Sequence, residues 1–204
     1  MKLYNSIGPN PHIVRMFAAE LGVDLELVEV DLRAGDNRKN DHLARNPAGQ
    51  LPALEIDGGE FIAEVTAICE YLDEGVEGFT LLGKSAAERA QTRMWTRRVD
   101  LAICEPMLNG FRFAEGLGIF EERMITLPDA APGLKRIAQD RLAWLDEQMS
   151  DGREFIGGTT MSMADIHLFC MLAFAGQVGQ PLDQNLKSVS AWFDRMAARP
   201  SASA

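Results

Sequence analysis

Three short stretches hold the residue types best suited to chemistry. Asn10-Pro11 joins a helix N-cap residue to a proline at the first helical position. Leu51-Pro52 puts a proline just ahead of a short apolar strand, where its missing N–H costs no ladder bond. If that peptide is cis, the Leu51 N–H and C=O turn outward and stay free. Glu64-Val65-Thr66 sets a carboxylate directly before a run with apolar residues at Ile68, Cys69, Tyr71 and Leu72, which is helical spacing. A helix start presents unpaired N–H groups and a partial positive charge, so it favours an anion.

The elements that must position these residues follow from the pattern. Lys2–Asn5 reads as a strand, and a helix from Asn10 runs through Ile13, Val14, Phe17, Ala18 and Leu21 to Gly22. Leu25–Val30 alternates apolar and acidic side chains, the mark of a strand with one wet face. A helix between two strands predicts a parallel, right-handed βαβ unit. After a polar loop and a helical turn near Leu43, Ala53–Ile56 and Phe61-Ile62 flank Asp57-Gly58-Gly59 and predict an antiparallel hairpin. The order βαβ–α–ββ–α predicts a thioredoxin-like domain over residues 1–77, followed by a linker at 78–84.

From residue 85 to 204 the period is helical, which predicts an all-α bundle. Ser85 and Glu88 form a capping box ahead of a long helix that Pro106 should kink. Gly133–Met149 is amphipathic, Ser162 and Asp165 head an apolar helix to about Ala175, and Leu186–Arg199 is the last helix. Pro200–Ala204 reads as a frayed tail. The fold class is α/β followed by all-α.

Charge supports the same division. Residues 1–83 hold 6 Lys/Arg against 15 Asp/Glu, a net of −9, whereas residues 84–204 hold 14 against 15, a net of −1. The total of −10 disfavours nucleic acid and anionic membrane as partners. Apolar runs are broken by charge well before spanning length, and no leader pattern opens the sequence, so a cytoplasmic home is expected. Cys69, Cys104 and Cys170 are far apart in sequence, which fits a reducing compartment. His42 and His167 do not converge with other ligand types, so no metal is expected.

Asn46–Leu72, with NPAGQLPALEIDGG followed by EVTAICEYLDE, resembles the glutathione-binding half of the cytosolic glutathione transferases. KLYNSIGPNPHIVRMFAAELG resembles the first strand and helix of that superfamily, and SMADIHLF the capping signature of its helical domain. The type is closest to theta-like or unclassified bacterial members. The resemblance implies glutathione as co-substrate, bound with its γ-glutamyl carboxylate at Val65 and Thr66 and its ammonium at Glu64. It further implies cysteinyl main-chain pairing at Leu51 beside Pro52, and a glycine carboxylate near Lys39 or Asn37. Asn10 with the helix start is then the expected activator of the thiol, with Ser6 second. Gly8-Pro9-Asn10 stands where many members carry Ser, Cys or Tyr, and Val65 where many carry Ser. Met107, Phe111 and Phe113 are expected to line a site for a small hydrophobic electrophile. Arg89, Arg93 and Arg97 form a basic stripe, which the family's two-fold homodimer would set against the acidic domain of the other subunit. The activity implied is transfer of the glutathione thiolate to such an electrophile. A non-catalytic ligand- or protein-binding role and glutathione-dependent peroxide reduction are the alternatives.

Overall fold

In the computed structural model, which describes residues 1–78 and 80–204, the chain divides into two compact units. One comprises Met1–Leu82 with Pro200–Ala204, the other Gly83–Arg199. The fold is a small sheet with helices followed by an all-helical domain.

The first unit contains β1 (Lys2–Asn5), α1 (Pro9–Leu21), β2 (Glu26–Glu29), α2 (Asn40–Leu43), β3 (Ala53–Glu55), β4 (Phe61–Ala63) and α3 (Val65–Glu74). The sheet order is β2-β1-β3-β4, with β1 and β2 parallel and the other pairs antiparallel. Alternation along the strands sends Leu3 and its cross-strand partner Leu54 one way; both are fully buried, as are Ile13, Val14 and Phe17 of α1 and Ile68 and Cys69 of α3. Each such side chain contributes roughly 1.5–3 kcal/mol by leaving water. Tyr4 and Ala53 point the other way and form a smaller cluster with Leu51, packed by Val28, Val30 and Leu32.

Two local expectations are corrected. Helix α1 begins at Pro9 with Gly8 as its N-cap at φ 110°, so Asn10 lies inside the first turn rather than capping it. The reason is that both Pro9 and Pro11 carry the fixed φ a helix start accepts, and the glycine ahead of them makes the turn. Pro200–Ala204 is not frayed. It forms a 3₁₀ turn over Pro200–Ser203 that docks on α1, where Ser201 is buried and bonds Glu20, and His12 Nε2 lies 3.0 Å from the Ala202 carbonyl. Within the expected linker, Asp73 accepts the Leu81 N–H at 2.7 Å and the Thr80 hydroxyl at 2.5 Å.

The second unit contains α4 (Ala86–Val99), α5 (Glu105–Arg112), α6 (Leu117–Phe120), α7 (Ala131–Gln148), α8 (Met163–Gln177) and α9 (Lys187–Ala197). The Ser85–Glu88 capping box forms as expected, with Ser85 N–H donating to Glu88 at 3.0 Å and Glu88 N–H to Ser85 at 3.1 Å. Between α4 and α5, Asp100–Cys104 is a π-helical turn in which the Glu105 N–H reaches back five residues to the Asp100 carbonyl. Pro106 explains the widening, since its ring would clash with the carbonyl four residues earlier. Helix α8 is buried almost throughout, and Asp165 anchors it. That carboxylate accepts the Ile156 N–H (2.8 Å), the Ser162 N–H (2.9 Å) and hydroxyl (3.0 Å), and the Trp192 Nε1–H (2.9 Å). Among the described residues, no helix is long and apolar enough to cross a membrane.

Candidate active site

The strand register gathers the three singled-out stretches of the first unit. Tyr4, Ala53 and Ala63 stand side by side across β1, β3 and β4. Strands alternate in direction here, so the next residues toward one end are Asn5, Pro52 and Glu64, each about 5 Å from its neighbour. From that end β1 leads through Ser6 into α1, Leu51 enters β3, and Glu64 opens α3. One sheet end therefore receives two helix N-termini and the loop ahead of β3.

Each position is prepared by its backbone. The Leu51–Pro52 peptide is cis. Both residues are buried, yet no described residue bonds the Leu51 main-chain N–H or C=O. Glu64 has φ 71°, a left-handed value that among the described non-glycine residues it alone adopts. Such a conformation costs on the order of 1–3 kcal/mol and clusters at ligand sites. Helix α3 then starts with no side-chain cap and no acid in its first turn, leaving the Val65 and Thr66 N–H groups open to an anion. At α1, Pro9 and Pro11 have no N–H, so Asn10 supplies the single main-chain donor of the first three helical positions.

Two hydroxyls are committed elsewhere. Ser6 is buried and donates to the Val30 carbonyl at 2.7 Å, tying the ends of β1 and β2. Tyr4 donates to Glu55 Oε2 at 2.9 Å, toward the opposite end of the sheet, with the Arg45 guanidinium 4.6 Å from its ring centre. Burial, then the Glu55 hydrogen bond, raises the Tyr4 pKa, so the phenol stays protonated. Asn37 is 3% exposed and its Nδ2 donates to the Gly49 carbonyl at 2.7 Å, which turns it into the loop rather than toward a ligand. Lys39 is exposed and pairs with Asp36 at 2.5 Å, an ion pair that raises its pKa.

Residues 1–74 match the family model described as Glutathione S-transferase, N-terminal domain, and residues 117–200 match Glutathione S-transferase, C-terminal domain. Glutathione S-transferase 2 of Saccharomyces cerevisiae is 32% identical over 197 residues, spanning 95% of this chain and 84% of the relative. The chain belongs to the glutathione S-transferase family. Another family member, GstA of Escherichia coli O157:H7, is 29% identical across 98% of this chain and 94% of its own. The crystal structure of Gtt2 from Saccharomyces cerevisiae superposes with a TM-score of 0.92 at 31% identity, covering 100% of this chain and 99% of the other. A glutathione S-transferase domain-containing protein of Marinobacter aquaeolei VT8 gives 0.91 at 34% identity, covering 99% and 100%.

The residues expected to meet an electrophile lie on and just after α5 in the second unit. Met107 and Phe113 are buried, at 3% and 8% exposure, and pack as interior side chains. Phe111 is half-buried and edge-on to Phe174 (5.1 Å between ring centres) and Phe120 (6.1 Å). Among the described residues no group of His, Cys, Asp or Glu is placed to hold a metal ion. What the sequence pattern did not reveal is Gly8 as the cap of α1 and the roles of His42 and Asn46 beneath the loop ahead of β3. The signal for Gly8 was its place before Pro-Asn-Pro; a buried histidine in a polar helical turn carries none.

Proposed function

We propose that this member of the glutathione S-transferase family transfers the glutathione thiolate to a small hydrophobic electrophile. The observation that carries this reading is the sheet end where an open Leu51 main chain adjoins the strained Glu64 and the uncapped start of α3. An extended peptide pairs with Leu51 as an added strand would. Its γ-glutamyl carboxylate takes the Val65 and Thr66 N–H groups, with the Thr66 hydroxyl in place of the family's usual Ser, while Glu64 meets the ammonium. Lys39 serves the glycine carboxylate. Asn10 donates its main-chain and side-chain N–H groups to the sulfur, which lowers a thiol pKa from near 8.5 and raises the thiolate fraction. The remaining rate gain is proximity. The half-buried Phe111–Phe120 ring pair is the apolar surface offered to the electrophile. Function as a cytoplasmic homodimer in detoxification belongs to the same proposal.

A second reading is a member that binds without turnover. It is favoured by the commitment of both the Ser6 and Tyr4 hydroxyls to protein acceptors. Calorimetry with millimolar glutathione, followed by turnover of an aryl halide, separates the readings. Heat and turnover support the transferase, heat alone supports the binding member, and no heat overturns both.

A further inference from the structure

Three successive carbonyls ahead of the cis peptide are held by side chains. The Ala48 carbonyl accepts from Arg38 Nη1 at 3.4 Å, and the Gly49 carbonyl from Asn37 Nδ2 at 2.7 Å. The Gln50 carbonyl accepts twice, from His42 Nε2 at 2.9 Å and Asn46 Nδ2 at 3.0 Å. A carbonyl cannot donate, so His42 carries its proton on Nε2. Asn46 also accepts the Ala48 N–H on Oδ1 at 3.1 Å, and its own carbonyl accepts the Gly49 N–H at 2.8 Å. Gly49 sits at φ 63°, and a Cβ there would lie 2.9 Å from Arg38 Nη1 and 3.2 Å from the Asn37 carbonyl. The loop is thus pressed onto residues 37–42 with no room for a side chain.

The arrangement is expensive for the fold. Asn37, His42 and Asn46 are all buried, and among the described residues Asn37 Oδ1 and His42 Nδ1 have no hydrogen-bond partner. One polar atom each of Asn37 and His42 is desolvated without return, which calls for an explanation. Planarity of the peptide supplies one. The Gln50 C=O and the Leu51 N–H belong to one rigid peptide plane and point in opposite directions. Two donors fixing the Gln50 oxygen therefore aim the Leu51 N–H.

We propose that His42 and Asn46, with Asn37 holding the loop one peptide earlier, are positioning residues that set the direction of the Leu51 N–H for its peptide ligand without touching that ligand. The identity of the ligand rests on the glutathione reading above; the aiming of the peptide plane does not. His42→Phe keeps the ring volume and removes the donor, whereas His42→Gln restores an N–H of similar reach. Asn37→Asp, which replaces a donor by an acceptor facing the Gly49 carbonyl, gives an independent variant should His42→Phe fail to fold.

Hydrogen exchange of the segment 46–52 without ligand reads the clamp itself. Calorimetry and steady-state kinetics with glutathione read its consequence. The expected result is faster exchange confined to 46–52, with glutathione Kd and KM raised about tenfold in His42→Phe and Asn37→Asp. kcat at saturation and the KM for the electrophile stay within about twofold, and His42→Gln returns the glutathione Kd toward wild type. Unchanged exchange in folded His42→Phe and Asn37→Asp, or equal loss of glutathione affinity in His42→Gln and His42→Phe, overturns the proposal. A wild-type protein that gives no heat with glutathione overturns the functional reading, while the exchange result still decides the clamp.

Discussion

The Tyr4 hydroxyl donates to Glu55 Oε2 at 2.9 Å, and this bond turns the only tyrosine of the first strand away from the sheet end where α1 and α3 begin. Tyr4→Phe is accordingly expected to leave kcat/KM for glutathione within about twofold of wild type. A loss beyond about tenfold, equivalent to about 1.4 kcal/mol of transition-state stabilisation, would make the phenol a catalytic group after all.

Asn10→Ala removes the side-chain donor but keeps the single main-chain N–H of the first three positions of α1. One hydrogen bond to a charged atom is worth about 1.5–3 kcal/mol, so kcat/KM should fall by roughly one to two orders of magnitude. The pH at which kcat/KM is half-maximal should also rise toward the free-thiol value near 8.5. A pH–rate profile that keeps its midpoint would remove Asn10 from thiol activation.

Glu64 holds φ at 71°. Glycine adopts that backbone without steric conflict, so Glu64→Gly should stabilise the folded state by about 1 kcal/mol in urea titration. The same change deletes the carboxylate for the ammonium, and glutathione affinity should drop tenfold or more. Stability and affinity moving down together would show that the conformation is not strained here.

Asp165 receives four hydrogen bonds in a site with no exposure. Burial pushes its carboxyl pKa up, and the donors from Ile156, Ser162 and Trp192 pull it back. Asp165→Ala strands the Trp192 indole N–H and two main-chain N–H groups, and should cost about 3–5 kcal/mol in chemical denaturation. A loss below about 1 kcal/mol would mean the network contributes little.

His167 is almost fully buried, and burial lowers its pKa from 6.5 to about 4. Asp100 Oδ1 lies 3.5 Å from its Nε2, too far and too poorly placed for a hydrogen bond, so the pair does not hold the ring charged. The unfolded chain takes up this proton at higher pH than the folded one. The associated stability is complete above pH 6.5 and is lost as pH falls toward 4, amounting to about 3 kcal/mol. Asp100, whose pKa burial raises, offsets part of that loss at the acid end. Denaturation midpoints of wild type and His167→Phe between pH 7 and 4 should converge; parallel curves would contradict a neutral buried ring.

The parts of this fold legible in the sequence were those written in local pattern. Capping at Ser85 and Asp165, the Gly22 stop, the hairpin at Asp57–Gly59 and the apolar periods all depend on neighbours a few residues away, and all appear. What lay hidden depends on distant partners. The bond from Asn37 to the Gly49 carbonyl joins residues twelve positions apart, and the burial of Met107 and Phe113 is set by the packing of the bundle. The backbone at Glu64 carries no compositional mark at all, because its φ is imposed by the strand before it and the helix after it.

Pro200–Ala204 belongs to the first unit, whereas everything from Gly83 to Arg199 belongs to the second. A ribosome builds the chain from its N-terminus, so the flank of α1 around His12, Arg15 and Glu20 stays wet until the whole helical bundle has been translated. The small sheet therefore spends most of its synthesis missing a piece of its own surface.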